Sequence, residues 1–136
     1  MSYTVLNSAM SSTLLSDPEV AGLFSADADL VAMLDFEAAL AEAEAEAGVF
    51  SSRLAQQIAA ACRGFRPDMV RLDAGISRDG MAVPDLVAQL REAIGTEASK
   101  YLHFGATSQD VIDTSLTSRL QRVNQILEPR LLNARA

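Results

Sequence analysis

Apolar residues along this 136-residue chain recur at three- and four-residue steps, and no stretch alternates convincingly between apolar and polar. That period predicts an all-α fold. Residues 1–16 are rich in Ser and Thr, show no period, and are expected to form an extended arm. Asp17-Pro18-Glu19 reads as N-cap, first helical residue and first-turn acid of a short helix reaching Phe24. A second start at Ser25 or Asp27 opens an amphipathic helix that carries Leu30, Met33, Leu34, Leu40 and Ala41 to about Ala47, with Gly48 as its C-cap. Residues 37–47, nearly all Ala and Glu, are strong helix formers with a narrow face that lets another helix approach closely.

Ser51 is expected to cap a third helix containing Leu54, Ile58 and Cys62 and ending near Gly64. Pro67 starts a fourth with Met69, Val70 and Leu72, and residues 73–83, with Gly75, Asp79 and Gly80, read as a loop. Pro84 begins a fifth helix through Leu86, Val87, Leu90 and Ile94, stopped by Gly95. A polar and aromatic loop follows at 101–108. Beyond it Ile112, Leu116, Leu120, Val123, Leu127 and Leu131 keep one apolar stripe, the mark of a long bundle-type helix capped by Thr107 or Ser108. Pro129 is expected to kink that helix or interrupt its hydrogen bonding, at a cost of ~3 kcal/mol. The organisation is a helical head, 1–102, followed by a loop and the start of a long helix, 103–136. A single helix cannot bury such a stripe alone, so further helices or copies of the chain are required.

Composition narrows the class. Apolar residues make up 49% and charged residues 21%, with 7 Gly and 4 Pro, which is a globular balance sufficient for one core. Net charge is -7 and unevenly placed, since the first basic residue is Arg53. Without a basic cluster, nucleic acid is not an expected partner; the acidic half is a solvated face or a docking surface. Cys62 is the only cysteine, which excludes an internal disulfide and reads as a small core residue. No basic segment precedes an apolar one at the start, and no apolar run approaches the ~20 residues needed to span a bilayer. A cytoplasmic protein without membrane contact is expected.

The chemistry concentrates in His103-Phe-Gly-Ala-Thr-Ser-Gln-Asp110, with Asp113-Thr114 one turn later. Two hydroxyls, an amide and free backbone N–H groups stand at the positive end of a long helix, a ready site for a carboxylate or phosphate. Gly105 lets the backbone approach a ligand, and His103 can donate a hydrogen bond or a proton near neutral pH. Each residue also has a purely structural use. Thr107 and Ser108 cap helices, Asp110 can close a capping box, and a histidine beside an aromatic ring can serve packing alone. Residue chemistry points to an anion site and names no reaction.

The run from His103 to Asp110, with Asp113 and Thr114, resembles the first signature of the fumarase/aspartase superfamily, in its adenylosuccinate-lyase and carboxymuconate-cycloisomerase branch. Met33-Leu-Asp-Phe-Glu-Ala-Ala-Leu-Ala-Glu-Ala-Glu44, continuing to Glu46, resembles an early helix of the same branch, in the right order. Ala106 and Gln109 favour the cycloisomerase side, as does the lack of a second histidine, which adenylosuccinate lyases carry in a loop corresponding to 76–84. Arg78-Asp79 departs from the Asn-Pro that cycloisomerases commonly show there.

The resemblance implies a reaction that adds or removes a group beta to a carboxylate, through an aci-carboxylate that fixed donors stabilise as they would an oxyanion. For the cycloisomerases this means lactonising a small tricarboxylate, with no metal or other cofactor, in the catabolism of aromatic compounds. By the same likeness Thr107, Ser108 and Gln109 bind substrate carboxylate, with Arg78 or Lys100 available for another. His103 binds or handles a proton, and Gly105, Asp110 and Thr114 support the loop. Family members are longer homotetramers whose sites draw on several subunits, so this stretch alone is expected to be inactive. An adenylosuccinate-lyase-like enzyme is the alternative within the superfamily. A helical self-association module without catalysis is the alternative of another class.

Overall fold

The computed structural model describes residues 16–95 and 97–135, so the arm expected at 1–16 lies almost wholly outside the described residues. Six α-helices and one 3₁₀ turn follow one another, with no strand among the described residues. Local sequence accounts for most boundaries. α1 (Pro18–Gly22) opens under Asp17, whose carboxylate accepts from the Glu19 and Val20 N–H groups. α2 (Ala26–Glu46) opens under Ser25, whose hydroxyl accepts from Ala28 N–H. It closes ahead of Gly48, which takes a left-handed φ of 80°. α3 (Ser52–Gly64) follows Ser51, which holds the cap position but makes no side-chain cap bond.

Two boundaries differ from expectation. The fourth helix, α4 (Met69–Asp79), is capped by Asp68 rather than opened at Pro67. It also runs through most of the segment read as a loop, ending only at Gly80 with φ 75°. Gly75 is therefore not a helix breaker. It sits buried in mid-helix, where its missing Cβ admits the Asp85 side chain. α5 (Val83–Ile94) carries Pro84 in its first turn and stops at Gly95, and a 3₁₀ turn spans Ala98–Tyr101. α6 (Ser108–Arg135) carries Pro129 inside it and continues to Arg135.

α2 is the central element, packed along α3 on one side and α6 on the other. The core joins Met33, Leu34 and Ala41 of α2 to Leu54, Ile58 and Cys62 of α3, Leu86 and Leu90 of α5, Leu102, and Val111 of α6. A polar network ties α4 to α5. Gln89 accepts from Asp68 N–H and donates to the buried Asp85 carboxylate, while Arg71 reaches Glu92 through two hydrogen bonds.

α6 meets the head through Val111 and Ser115, both fully buried, and Ile112, half-buried, while the leucines of its stripe take no part. Ser115 donates to the Asp29 carboxylate at 2.7 Å, and Arg119 donates to the same oxygen at 2.6 Å. Arg119 also lies over the Phe24 ring, and Arg130 pairs with Asp17 and Glu19. A small hydroxyl at 115 allows close helix contact and satisfies its own polarity within it. Leu116, Leu120, Leu127 and Leu131 remain exposed.

Candidate functional site

The 103–110 turn joins the 3₁₀ segment to α6, and several distant residues hold it. Arg91 of α5 donates to the Leu102 carbonyl at 3.0 Å. Tyr101 packs against Phe50, with ring centroids 4.7 Å apart, and faces Phe104 at 6.5 Å. His103 and Gly105 both adopt positive φ, 57° and 71°, and so reverse the chain around Phe104. Glycine suits the second of these conformations; at His103 a non-glycine residue is held in a region it seldom visits.

What holds His103 is Glu37. Its Oε1 lies 2.6 Å from His103 Nδ1 across 66 residues of sequence. Glu37 is 2% exposed, and its Oε2 has no hydrogen-bond partner among the described residues. Glu44, two turns further along α2, is near Gly105: a Cβ there would stand 3.7 Å from its Oε1. Burial raises the Glu44 carboxyl above the usual glutamate range, and the charge of Glu37 adds to that.

Thr107 and Asp110 form a reciprocal capping box. Asp110 accepts from Thr107 N–H at 2.7 Å and from the Thr107 hydroxyl at 3.0 Å, and Asp110 N–H points back to that hydroxyl at 3.4 Å. The Thr107 backbone bond, then its hydroxyl, hold Asp110 below the usual aspartate range. Gln109 donates to Asp113 at 2.6 Å. The Ser108 and Gln109 N–H groups find no acceptor among the described residues, leaving the helix start with free donors. Gly105, Thr107, Gln109 and Asp110 are exposed, and Ser108 is half-buried.

The structure thus gathers His103, Gly105, Thr107, Ser108, Gln109 and Asp110 at one helix start. Thr114 lies a turn further on, exposed along α6. Arg78 is not joined to this turn by any hydrogen bond or ion pair among the described residues; its guanidinium grips Asp79 at 2.6 and 2.8 Å. Sequence reasoning assigned no role to Glu37, Glu44 or Arg91. Glu37 and Glu44 stood inside the run that carried the resemblance, and an acid on an otherwise apolar helix face was the available signal. No group of three or more His, Cys, Asp or Glu among the described residues is arranged to hold a metal ion.

Comparison with known proteins adds what geometry alone does not. A model of the Lyase family matches residues 2–134. The 3-carboxy-cis,cis-muconate cycloisomerase of Pseudomonas putida is 40% identical over 117 residues, covering 84% of this chain and 28% of that protein. The adenylosuccinate lyase of Methanothermobacter thermautotrophicus is 37% identical over 117 residues, covering 84% and 25%. The crystal structure of the 3-carboxy-cis,cis-muconate lactonizing enzyme of Pseudomonas putida superposes with a TM-score of 0.80 at 39% identity, covering 87% of this chain and 28% of that one. That of the beta-carboxy-cis,cis-muconate cycloisomerase of Acinetobacter calcoaceticus sp. ADP1 gives 0.85 at 27% identity, covering 90% and 30%. The chain spans about a quarter of the length of the curated relatives it matches. The family match over nearly the whole chain, the relatives and the shared helical fold together establish that this chain belongs to the lyase family of the fumarase/aspartase superfamily.

Proposed function

We propose that this chain supplies a carboxylate-binding wall to a cycloisomerase that lactonises 3-carboxy-cis,cis-muconate in the catabolism of aromatic compounds. The observation that carries this reading is the helix start at Ser108, where the Ser108 and Gln109 N–H groups find no acceptor among the described residues, in the turn that also holds His103. The relatives named as cycloisomerases supply the substrate class.

In that reaction one substrate carboxylate attacks a carbon of the double bond and closes the lactone, while a proton is added at the neighbouring carbon. Charge accumulates on the carboxylate beside that carbon as an aci-carboxylate. Donors already aimed at its oxygens stabilise the charge without reorganising, which is where a helix N-terminus contributes most. Ser108 and Gln109 hold the carboxylate, and His103 binds it or handles the proton. The Thr107 hydroxyl is committed to Asp110 and reaches substrate only by leaving it. Two of the cations a tricarboxylate could use are engaged here, Arg78 by Asp79 and Arg91 by the Leu102 carbonyl, which leaves Lys100 for one of its carboxylates. The rest of such a site therefore comes from other segments or subunits. Exposed Leu116, Leu120, Leu127 and Leu131 support a homotetramer built on long helices, and the 136 residues alone are inactive in this reading.

A chimera tests it. The aligned stretch of the Pseudomonas putida cycloisomerase is replaced by this chain, and turnover of 3-carboxy-cis,cis-muconate and of adenylosuccinate is measured. Lactonisation without adenylosuccinate cleavage is expected, with a large loss of kcat in Ser108→Ala. A folded, assembled chimera that cleaves only adenylosuccinate moves the assignment to the lyases. One that does neither overturns it.

A further inference from the structure

Two unfavourable features of this chain meet in a single hydrogen bond. One is a buried carboxylate. Glu37 is 2% exposed on a face of α2 otherwise made by Met33, Leu34 and Ala41, and its Oε2 finds no partner among the described residues. A carboxylate in such surroundings is costly to bury and is seldom kept for stability alone. The other is His103, a non-glycine residue at φ 57°. Such a conformation persists only where surrounding structure over-determines it. Glu37 Oε1 at 2.6 Å from His103 Nδ1 is the bond that does so.

The bond has a chemical consequence. A carboxylate in its ionised form only accepts, and against it Nδ1 is the nitrogen that donates. In the neutral ring Nε2 then carries the lone pair; in the charged ring it carries the transferable proton. The ring stays 14% exposed, and Nε2 has no partner among the described residues, so that edge is the one open to a ligand.

The geometry points to Glu37 as a positioning residue, which fixes the tautomer and orientation of His103 and presents Nε2 to a substrate held at the Ser108 helix start. This rests on the reading that His103 faces substrate. It goes beyond that reading by assigning a task to an α2 residue 66 positions away in sequence. The same logic orients ring nitrogens elsewhere in enzymes: the partner of one nitrogen decides what the other can do.

His103 is the only histidine in the chain, so nitrogen-15 labelling of histidine gives one pair of ring signals without assignment. At alkaline pH, where the ring is neutral, the 136-residue chain should show a protonated Nδ1 and a bare Nε2. Glu37→Gln keeps a carbonyl acceptor and should keep that pattern. Glu37→Leu removes the acceptor and should move the proton towards Nε2. A wild-type spectrum with the proton on Nε2, or a folded Glu37→Leu chain with the wild-type pattern, overturns the pairing. The wild-type spectrum decides even if the leucine variant does not fold.

In the chimera, Glu37→Leu should lower kcat on the order of 10–100-fold with little change in KM, and Glu37→Gln should recover most of it. Equal damage from both substitutions, or a loss confined to KM, would overturn the positioning role. Unchanged turnover in His103→Gln would instead sink the reading that puts His103 at the substrate, whatever the nitrogen spectrum shows of the pairing.

Discussion

Gly75 lies in the middle of α4, where replacing glycine by alanine ordinarily stabilises a helix by ~1 kcal/mol. Here the sign should reverse. A Cβ built on Gly75 falls 2.6 Å from Asp85 Cβ and 3.1 Å from its Cγ. The first of these atoms is bonded to the α5 backbone, so it cannot swing away as the end of a long side chain would. Asp85 is also anchored, receiving a 2.6 Å hydrogen bond from Gln89 and lying 3.6 Å from Arg71 Nε. Forcing a methyl group into a packed contact costs ~1–3 kcal/mol, and a contact this short belongs at the upper end. Displacing Asp85 from Gln89 forfeits about 1 kcal/mol more. Against the gain in helix propensity, Gly75→Ala should lose about 3 kcal/mol net. Gly64→Ala is the internal control: its Cβ would meet nothing within 4 Å, and a gain of ~0.4–1 kcal/mol is expected. Urea unfolding of both variants, followed by far-ultraviolet circular dichroism, gives the two values against wild type. A Gly75→Ala chain as stable as wild type would refute the account of why α4 and α5 approach so closely.

Three further outcomes follow from the titratable groups. Asp110 is held below the usual aspartate range by Thr107, so its contribution is present at neutral pH and is lost as pH falls through that range to the lower folded value. Asp110→Asn should therefore lose stability at neutral pH and converge with wild type in acid; parallel curves at all pH values would count against the capping box. Glu44 has the opposite sign: its raised carboxyl makes stability fall as pH climbs from the ordinary glutamate range through the folded value. Glu44→Gln should gain relative stability at neutral pH and lose that advantage in acid, as urea midpoints at the two pH values will show. Burial, followed by the charge of Glu37, pushes the Cys62 thiol up to about 12. A thiol-reactive disulfide at pH 8 should label the native chain only as fast as it unfolds, and labelling at the rate of a free thiol would contradict the packing of α3.

Helix positions were largely legible because their signals are local. Asp17 and Ser25 cap where their side chains reach the next N–H groups, and Gly48, Gly80 and Gly95 stop helices where the chain needs positive φ. The loop expected at 73–83 shows the limit of such signals. Gly75, Asp79 and Gly80 look alike as punctuation, yet only Gly80 terminates, because Gly75 answers to a side chain on another helix. The candidate site was legible as a motif, and the capping box within it as a three-residue spacing. Its support was not, because Glu37 and Arg91 reach the turn from other helices.

The sequence by itself determined an all-helical chain, the long helix from Ser108 and a polar turn at that helix's start, since each depends on residues within a turn or two of one another. Tertiary structure decided which faces meet. Period marked Ile112, Leu116, Leu120, Val123, Leu127 and Leu131 as a face needing partners, and the leucines stay exposed while Val111 and Ser115, with Ile112 half-buried beside them, meet the head, Arg119 and Asp29 being joined across that contact. Periodicity says that a face is apolar; it does not say which neighbour covers it. A buried polar group must find its partner, and here those partners lie far away in sequence. The turn that opens α6 was written locally, and the hold on His103 within it was set by a carboxylate that only the packing of α2 brings there.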